Sequence, residues 1–398
     1  MADTPDGVMR SPVFLRPMAR KILVVAGEES GDVYAGRLCA ELYRLIEGVA
    51  IEGVGGAKAR AAGVKTLYDI ADLSSVGLAS AMGKMGVFIK ALNDIKARVA
   101  SGEYDAVVLV DFPDFNLRVA KAADKSGTPV FYYVCPQFWA WRRYRLRAVK
   151  KYVDSMFVLF PFEEEFYKGR GINARFLGHP MLDELDFNLD RAGLRNRFGA
   201  KGDEILLGLV PGSRHGEVER ILPLMLSAVR IIRTRKPVKV VIPCASSLAP
   251  ADIMKIAREM GEEPQVVQGA TWEVMNACDF LICKSGTSTL QAALAGVPMV
   301  IVYKTDMLSY VLAKSLSHTN IVGLPNIIAG KQVAPELLQG DATPQNLAGA
   351  VIPYLLDPAL RENMRETLRG IRPMLGEPGA AGRAALVITD FLRRLKES

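Results

Sequence analysis

Histidine and cysteine are scarce in this chain, and it lacks long apolar runs. Its 398 residues hold three histidines and five cysteines, at positions 39, 135, 244, 278 and 283. The cysteines are odd in number and scattered, with no Cys-x-x-Cys pair and no Cys/His cluster. That pattern argues against a disulfide framework or a zinc site and fits a reducing cytosol. Apolar runs such as residues 292–303 fall short of the roughly 18 residues a membrane-spanning helix needs. The first twenty residues carry Asp3, Asp6 and three prolines without an apolar segment, so they read as a floppy extension, not a secretory signal. Low-complexity segments and short-period repeats are also missing. Acidic residues total 43 against 50 lysines and arginines. The resulting charge of +7 favours phosphorylated substrates, anionic lipid surfaces or nucleic acid as partners.

What the chain does have is one pattern written twice. Residues 21–32 read Lys-Ile-Leu-Val-Val-Ala-Gly-Glu-Glu-Ser-Gly-Asp, and residues 205–217 read Ile-Leu-Leu-Gly-Leu-Val-Pro-Gly-Ser-Arg-His-Gly-Glu. Each is a buried-type strand running into a glycine/serine turn and then a helix. Glycine allows the sharp turn and a close backbone approach, and the helix N-terminus beyond it offers free N–H groups to an anion. Two such units suggest two similar α/β domains facing each other across a cleft, and the length agrees at roughly 100–200 residues per domain. Further strands are expected at 106–110, 130–134, 156–159, 238–242, 280–282 and 299–302, with helices at 34–46, 88–99, 217–234 and 289–295. Strands spaced by helices predict parallel sheets covered on both faces, with ligands at the strands' carboxyl ends. The polar stretch 190–204 makes the best boundary. The expected division is an extension 1–20, a first domain 21–195, a second domain 203–355 and a helical, basic segment 356–398.

The loops at the strand ends carry the chemistry. Asp111-Phe-Pro-Asp114-Phe-Asn116 places a carboxylate where a substrate hydroxyl could be deprotonated, although an aspartate there is more commonly a helix cap. The run from Cys135 to Arg147 interleaves Trp139 and Trp141 with Arg142, Arg143 and Arg145, suited to clamping a phosphorylated ligand or single-stranded nucleic acid. For the tryptophans alone, a place in the core is the plainer reading. His179, in Gly178-His-Pro180, has an even chance of lining the cleft. In the second unit, Arg214 could hold a diphosphate and act in catalysis by offsetting charge as it leaves, or simply pair with Glu217 or Glu219. Lys284-Ser-Gly-Thr-Ser-Thr-Leu-Gln291 offers hydroxyls and a helix start, or an ordinary Ser/Thr cap. Asn326, Glu336 and Gln339 are polar groups amid apolar ones near another helix start. Between residues 78 and 99, Leu78, Met82, Met85, Phe88, Ile89, Leu92 and Ile95 alternate with Lys84, Lys90 and Lys96. Periodicity favours a core-facing helix there, but Gly77, Gly83 and Gly86 weaken it, so 78–88 is expected to be partly exposed to lipid.

Taken in order, these segments resemble the lipid-A-disaccharide synthase family of inverting glycosyltransferases. The resemblance runs from Gly27-Glu-Glu-Ser-Gly-Asp32 through the 111–116, 136–142, 159–163, 176–180 and 211–214 motifs to Ser285-Gly-Thr287, 324–330 and 336–339. It implies a GT-B fold of two Rossmann-like parallel-sheet domains with a helical C-terminal segment. The implied reaction joins the diacylglucosamine of UDP-2,3-diacylglucosamine to 2,3-diacylglucosamine 1-phosphate with inversion, releasing UDP. By likeness Asp111 is the general base. Gly212, Ser213, Arg214, Ser285, Gly286, Thr287, Thr289, Gln291, Asn326, Glu336 and Gln339 hold UDP. Ser30, Gly31, Asp114, Asn116, Trp141, Arg142 and His179 lie on the acceptor side. No metal or other cofactor is implied, because helix ends and Arg214 offset the diphosphate charge. A homodimer with exchanged C-terminal segments, seated peripherally on the cytoplasmic face of the inner membrane, is also implied. Three positions depart from the family pattern: Gln291 replaces a frequent glutamate, Ser80 another, and Cys135 a common serine. A transferase using another lipid acceptor and a UDP-sugar epimerase remain alternatives on the same frame, and a basic nucleic-acid-binding protein is a third.

Overall fold

The computed structural model describes residues 20–73, 78–136, 138–139, 143–305 and 321–397. Seven strands build a first sheet: β1 (Lys21–Ala26), β2 (Ala50–Gly55), β3 (Lys65–Asp69), β4 (Ala106–Val110), β5 (Val130–Tyr133), β6 (Ser155–Val158) and β7 (Ala174–Phe176). Six build a second: β8 (Ile205–Val210), β9 (Val238–Cys244), β10 (Gln265–Gln268), β11 (Phe280–Lys284), β12 (Met299–Tyr303) and β13 (Glu336–Leu338). Their orders are β3-β2-β1-β4-β5-β6-β7 and β10-β9-β8-β11-β12-β13, and all pairings are parallel. In both sheets the strand order reverses beside the first strand of the unit. That crevice, at the carboxyl ends, is where open α/β sheets take ligands. The two glycine turns follow β1 and β8, so the repeated pattern marks the two crevices.

Helices cover both faces of the first sheet, which is why its strands read as continuous apolar runs. Leu23 and Val25 of β1 pack with Phe115, Val119 and Ile95 on one side. Ile22, Val24 and Ala26 pack with Ala35, Leu38 and Leu42 on the other. The second sheet is buried against the helix His215–Arg233, through Ile221, Leu222, Met225 and Val229, and against the helix Pro344–Leu356.

The chain's last helix, Ala380–Glu397, does not stay with the second sheet. Its Ala384, Ala385, Ile388 and Leu392 are buried in the core of the first domain, beside the helix Glu29–Leu45. Phe391 meets the Phe131 ring edge-on at 5.2 Å. Sequence reading treats residues 356–398 as one appended segment. In the fold the segment divides, because only its final helix carries a small-residue face that fits the first sheet.

The helix Leu78–Ala100 splits the stripe expected of it. Leu92 and Ile95 are buried in the core, while Met85 and Ile89 stand 55% and 49% exposed. Phe88 packs edge-on against Phe112 and Phe115, at 5.9 and 5.4 Å. The side chains of Leu78, Ser80, Met82 and Lys84 lie outside the described residues, as do residues 1–19.

Candidate active site

Four non-glycine residues have left-handed backbones among the described residues: Asp111, Phe112, Val134 and Gln339, with φ between 48° and 57°. They directly follow β4, β5 and β13 at the carboxyl ends. Such strain persists only where surrounding contacts over-determine it, and it gathers at functional sites. At Asp111 those contacts are plain. Its carbonyl accepts from Asn116 Nδ2 and from the Tyr132 hydroxyl, both at 2.7 Å. Its N–H donates to Val134 O at 3.2 Å. The Phe112 ring occupies the space where a Cβ on Gly27 would fall, within 2.0–2.5 Å. Gly27 is therefore required less for its own turn than to make room for the ring beside Asp111.

This arrangement tunes the carboxylate. Burial, together with the nearby Glu28 carboxylate, pushes Asp111 up to about 6, against a hydrogen bond from the Phe112 backbone. A carboxylate of that basicity is able to take a proton from a hydroxyl near neutral pH. Asp114, the second aspartate of the motif, is committed elsewhere: it pairs with Arg145 and ties the β4 loop to the loop after β5. Asn116 is fully buried, and its amide also reaches the carbonyls of Val25 and Val110 at 3.3 Å. Its Nδ2 positions strand ends, while its buried Oδ1 has no partner among the described residues.

The loop after β5 is pinned by Glu163, counted in the 159–163 motif above without a role of its own. Glu163 accepts from Trp139 Nε1 at 2.7 Å and from the N–H groups of Leu159 and Phe160 at 2.9 Å. Burial pushes its carboxyl up to about 7 in spite of those three donors. Its signal was the Phe160-Pro-Phe-Glu163 spacing, a helix start with glutamate at the third position. Trp141 and Arg142 lie outside the described residues.

The glycine turn after β1 presents an exposed Ser30 and a buried Gly31 on the first turn of the helix Glu29–Leu45. Asp32 turns away to cap the neighbouring helix Ala57–Ala61, accepting from Gly56, Lys58 and Ala59 N–H groups at 2.6–3.1 Å. His179 is 3% exposed and accepts from the Met181 N–H through Nδ1 at 3.1 Å. Burial pushes its imidazole down to about 3, so it is neutral and closes a turn instead of lining the cleft.

Across the cleft, the turn after β8 meets the turn after β1. Arg214 lies 3.6 Å from Glu28 of the first domain and 3.6 Å from Glu217 of its own helix. Ser246 Oγ donates to Glu29 at 3.0 Å, and Ile327 packs against the first domain's core. Glu217 also meets Lys284 Nζ at 2.8 Å and the Ser213 N–H at 3.3 Å. Burial raises the Glu217 pKa, but Lys284, Arg214 and the Ser213 N–H outweigh it and hold the group below the usual carboxylate range. Gly212 has φ 128°, and any Cβ there would fall 2.4 Å from Glu217. Arg214 is 69% exposed, so its guanidinium stands at the cleft's mouth beside the helix start at His215.

The remaining second-domain residues divide between presenting and supporting. Gly286 (φ 154°) and Thr287 open the helix Thr287–Leu294, and Gln291 lies half-buried one turn on. Ser285 and Thr289 are buried, donating to Val322 O at 2.9 Å and to Gly286 O at 2.7 Å. Asn326 is fully buried and saturated, bonded to Ala334, Val333 and Glu336 at 2.7–2.9 Å. Glu336 accepts from the Val322 and Gly323 N–H groups at 2.9 Å, which fixes the chain as it enters the helix Leu324–Ala329. Gln339 accepts from the Thr305 N–H at 3.1 Å, while its buried Nε2 has no partner among the described residues. No group of three or more His, Cys, Asp or Glu is placed to hold a metal ion among the described residues.

Comparison with known proteins gives this geometry a family. The family model described as lipid-A-disaccharide synthetase matches residues 22–377. A lipid-A-disaccharide synthase of Geobacter metallireducens is 38% identical over 374 residues, spanning 94% of this chain and 97% of the relative. One from Anaeromyxobacter sp. is 42% identical over 375 residues, spanning 94% and 98%. Among solved structures, the fold resembles UDP-GlcNAc 2-epimerase from Neisseria meningitidis, with a TM-score of 0.62 and 13% identity over 94% of this chain and 100% of that one. It also resembles MurG of Acinetobacter baumannii, with a TM-score of 0.55 and 14% identity over 94% and 99%. At such identities these two likenesses concern the fold alone. With the sequence match covering both sheets, the chain belongs to the lipid-A-disaccharide synthetase family.

Proposed function

We propose that this protein is an inverting glycosyltransferase that moves 2,3-diacylglucosamine from UDP to the hydroxyl at carbon 6 of 2,3-diacylglucosamine 1-phosphate. The products are the β-1,6-linked disaccharide 1-phosphate and UDP. Family membership across residues 22–377 carries the reading. In the first domain, Asp111 takes the acceptor hydroxyl's proton as that oxygen attacks the donor's anomeric carbon. The bond from that carbon to the UDP oxygen breaks, and its electron pair leaves with UDP. Arg214 exchanges its long contacts with Glu28 and Glu217 for diphosphate oxygens, a stronger charge-assisted pairing.

The turns at Gly212-Ser213 and Ser285-Gly286-Thr287 supply backbone N–H groups to the same anion. Gln291 and Gln339 provide neutral hydrogen bonds to the rest of the nucleotide, and Thr289, Asn326 and Glu336 hold those elements in place. Ser30 and Gly31 face the transferred sugar. The exposed Met85, Val87 and Ile89 beside Lys90 support a peripheral seat on an anionic membrane, where both lipid substrates reside. A homodimer is the assembly that the family resemblance supports.

The test is UDP release from UDP-2,3-diacylglucosamine with and without the monosaccharide phosphate. Acceptor-dependent release with disaccharide formed is expected. Conversion of a UDP-sugar without acceptor, in the absence of disaccharide, would overturn the proposal in favour of an epimerase.

A further inference from the structure

One buried polar cluster beside Asp111 has no part in the chemistry above. Tyr133, the last residue of β5, is 3% exposed, and its hydroxyl has no hydrogen-bond partner among the described residues. Glu184 follows the short turn Pro180–Asp183 that His179 closes. Its Oε1 is likewise buried without a partner. Tyr34 projects from the second turn of the helix Glu29–Leu45 and is 6% exposed. The three groups are electrostatic neighbours. The Tyr34 phenol feels both Glu184 and Asp111, and that of Tyr133 feels Asp183, Tyr34, Glu184 and Arg37. Glu184 in turn feels Arg37, Asp183 and Lys58, and burial pushes its carboxyl up to about 7. Arg37 and Lys58 are exposed, one turn beyond Tyr34 and on the next helix respectively.

Two unpartnered buried polar atoms in one cluster are costly, and native folds retain few of them. Packing gives no reason to keep these two, since phenylalanine and leucine would fill the same space. They lie at the end of β5 and just after the Pro180–Asp183 turn, and Tyr34 links them to the carboxylate assigned to deprotonating the acceptor, since its phenol feels both Glu184 and Asp111. We propose that Tyr34, Tyr133 and Glu184 form the hydrogen-bonding floor of the acceptor-sugar subsite, with Arg37 and Lys58 at its rim for the acceptor's phosphate. A phenol and a carboxyl both donate and accept, which suits the hydroxyl and amide groups of a glucosamine ring. The two cations suit the anion at its carbon 1.

This inference rests on the glycosyltransferase reading, so its test is chosen to stand apart from turnover. The probe is glucosamine 1-phosphate, the acceptor's head group without acyl chains, titrated into the UDP-loaded protein. Saturable binding to the wild type is expected. Tyr133→Phe should weaken it about three- to tenfold, the loss of one neutral hydrogen bond. Glu184→Gln should weaken it by a similar factor, and Arg37→Ala by more. UDP affinity should stay unchanged in all three variants. The melting temperature of Tyr133→Phe should hold or rise, since the deleted hydroxyl has no partner among the described residues, whereas a structural hydroxyl would lower it. In acceptor-varied kinetics the same variants should raise the KM for acceptor and leave that for donor alone. The subsite is overturned if glucosamine 1-phosphate fails to bind, if it binds wild type and variants alike, or if the donor KM rises instead. Binding that follows this pattern without any disaccharide formation would uphold the subsite and refute the transferase reading.

Discussion

Asp111 shows how one side chain is prepared by its surroundings. The residue is locked in left-handed backbone by Asn116, Tyr132 and Val134, and its carboxyl is raised to about 6 by burial and Glu28. Asp111→Asn should lower kcat by about 10²- to 10⁴-fold, the usual contribution of a general base, with little change in UDP binding. In the wild type, kcat/KM should rise with pH through an apparent value near 6, because only the ionised carboxylate accepts a proton. The same shift has a sign for stability. A carboxyl whose folded pKa exceeds its unfolded value favours the fold at low pH and loses that contribution as pH rises through the folded value. The melting temperature of Asp111→Asn relative to wild type should therefore increase between pH 4 and pH 8. Equal offsets at both ends would remove the account of the shift. Gln291 permits a gain of function at the same scale. Gln291→Glu should tighten UDP binding several-fold, roughly the 1 kcal/mol between a neutral and a charge-assisted hydrogen bond, as read by calorimetric titration.

At the scale of elements, much of the site consists of groups that hold loops and never meet a ligand. Asn326 joins Val333, Ala334 and Glu336, so the helix Leu324–Ala329 and the start of β13 move as one body. Asn326→Leu should destabilise the protein by about 2–4 kcal/mol, because it leaves the buried backbone groups of Val333 and Ala334 without their Asn326 partner and removes one donor from Glu336, and denaturant titration measures it. Both glycine turns were legible in sequence, because a buried-type strand followed by Gly/Ser and a helix is a local pattern. The central strands were legible for the same reason. β2, β3, β10 and β13 were not. β2 reads Ala-Ile-Glu-Gly-Val-Gly and the other three are only three to five residues long with a polar residue at one or both ends, so their pairing comes from a neighbour instead of their own periodicity. The bond from Trp139 to Glu163 and the capping by Asp32 were hidden too, since those partners lie 24 to 27 residues away.

For the whole molecule, the final helix is the element that closes the structure. Residues 380–397 return to the first domain after the second is complete, burying Ile388 and Leu392 against the sheet. Ile388→Ala should cost about 2–5 kcal/mol, the range for truncating a buried aliphatic side chain, and should loosen the first domain in hydrogen exchange. On the opposite flank, Met85, Val87 and Ile89 are 55%, 39% and 49% exposed in a row. Met85→Ser combined with Ile89→Ser should weaken co-sedimentation with anionic vesicles while leaving UDP affinity intact. Unchanged sedimentation would mean that this face does not meet lipid.

The sequence by itself determined the two sheets, their crevices and the motif series that places the chain in its family. Each of these rests on short-range patterns of burial, turn and helix start. Only the tertiary structure decided which motif residues have their hydrogen bonds committed within the fold. His179, Asp114 and Asn326 were expected among the site groups by resemblance, and in the fold their hydrogen bonds go to backbone, to Arg145 or to Glu336, while Asn116 donates to backbone and keeps its buried Oδ1 without a partner among the described residues. Tyr133 and Glu184 looked like ordinary fold residues, yet each keeps a buried atom unpaired. The reason is physical: whether a polar side chain is free depends on partners that the fold brings in from distant segments, and burial fixes the cost of leaving it so.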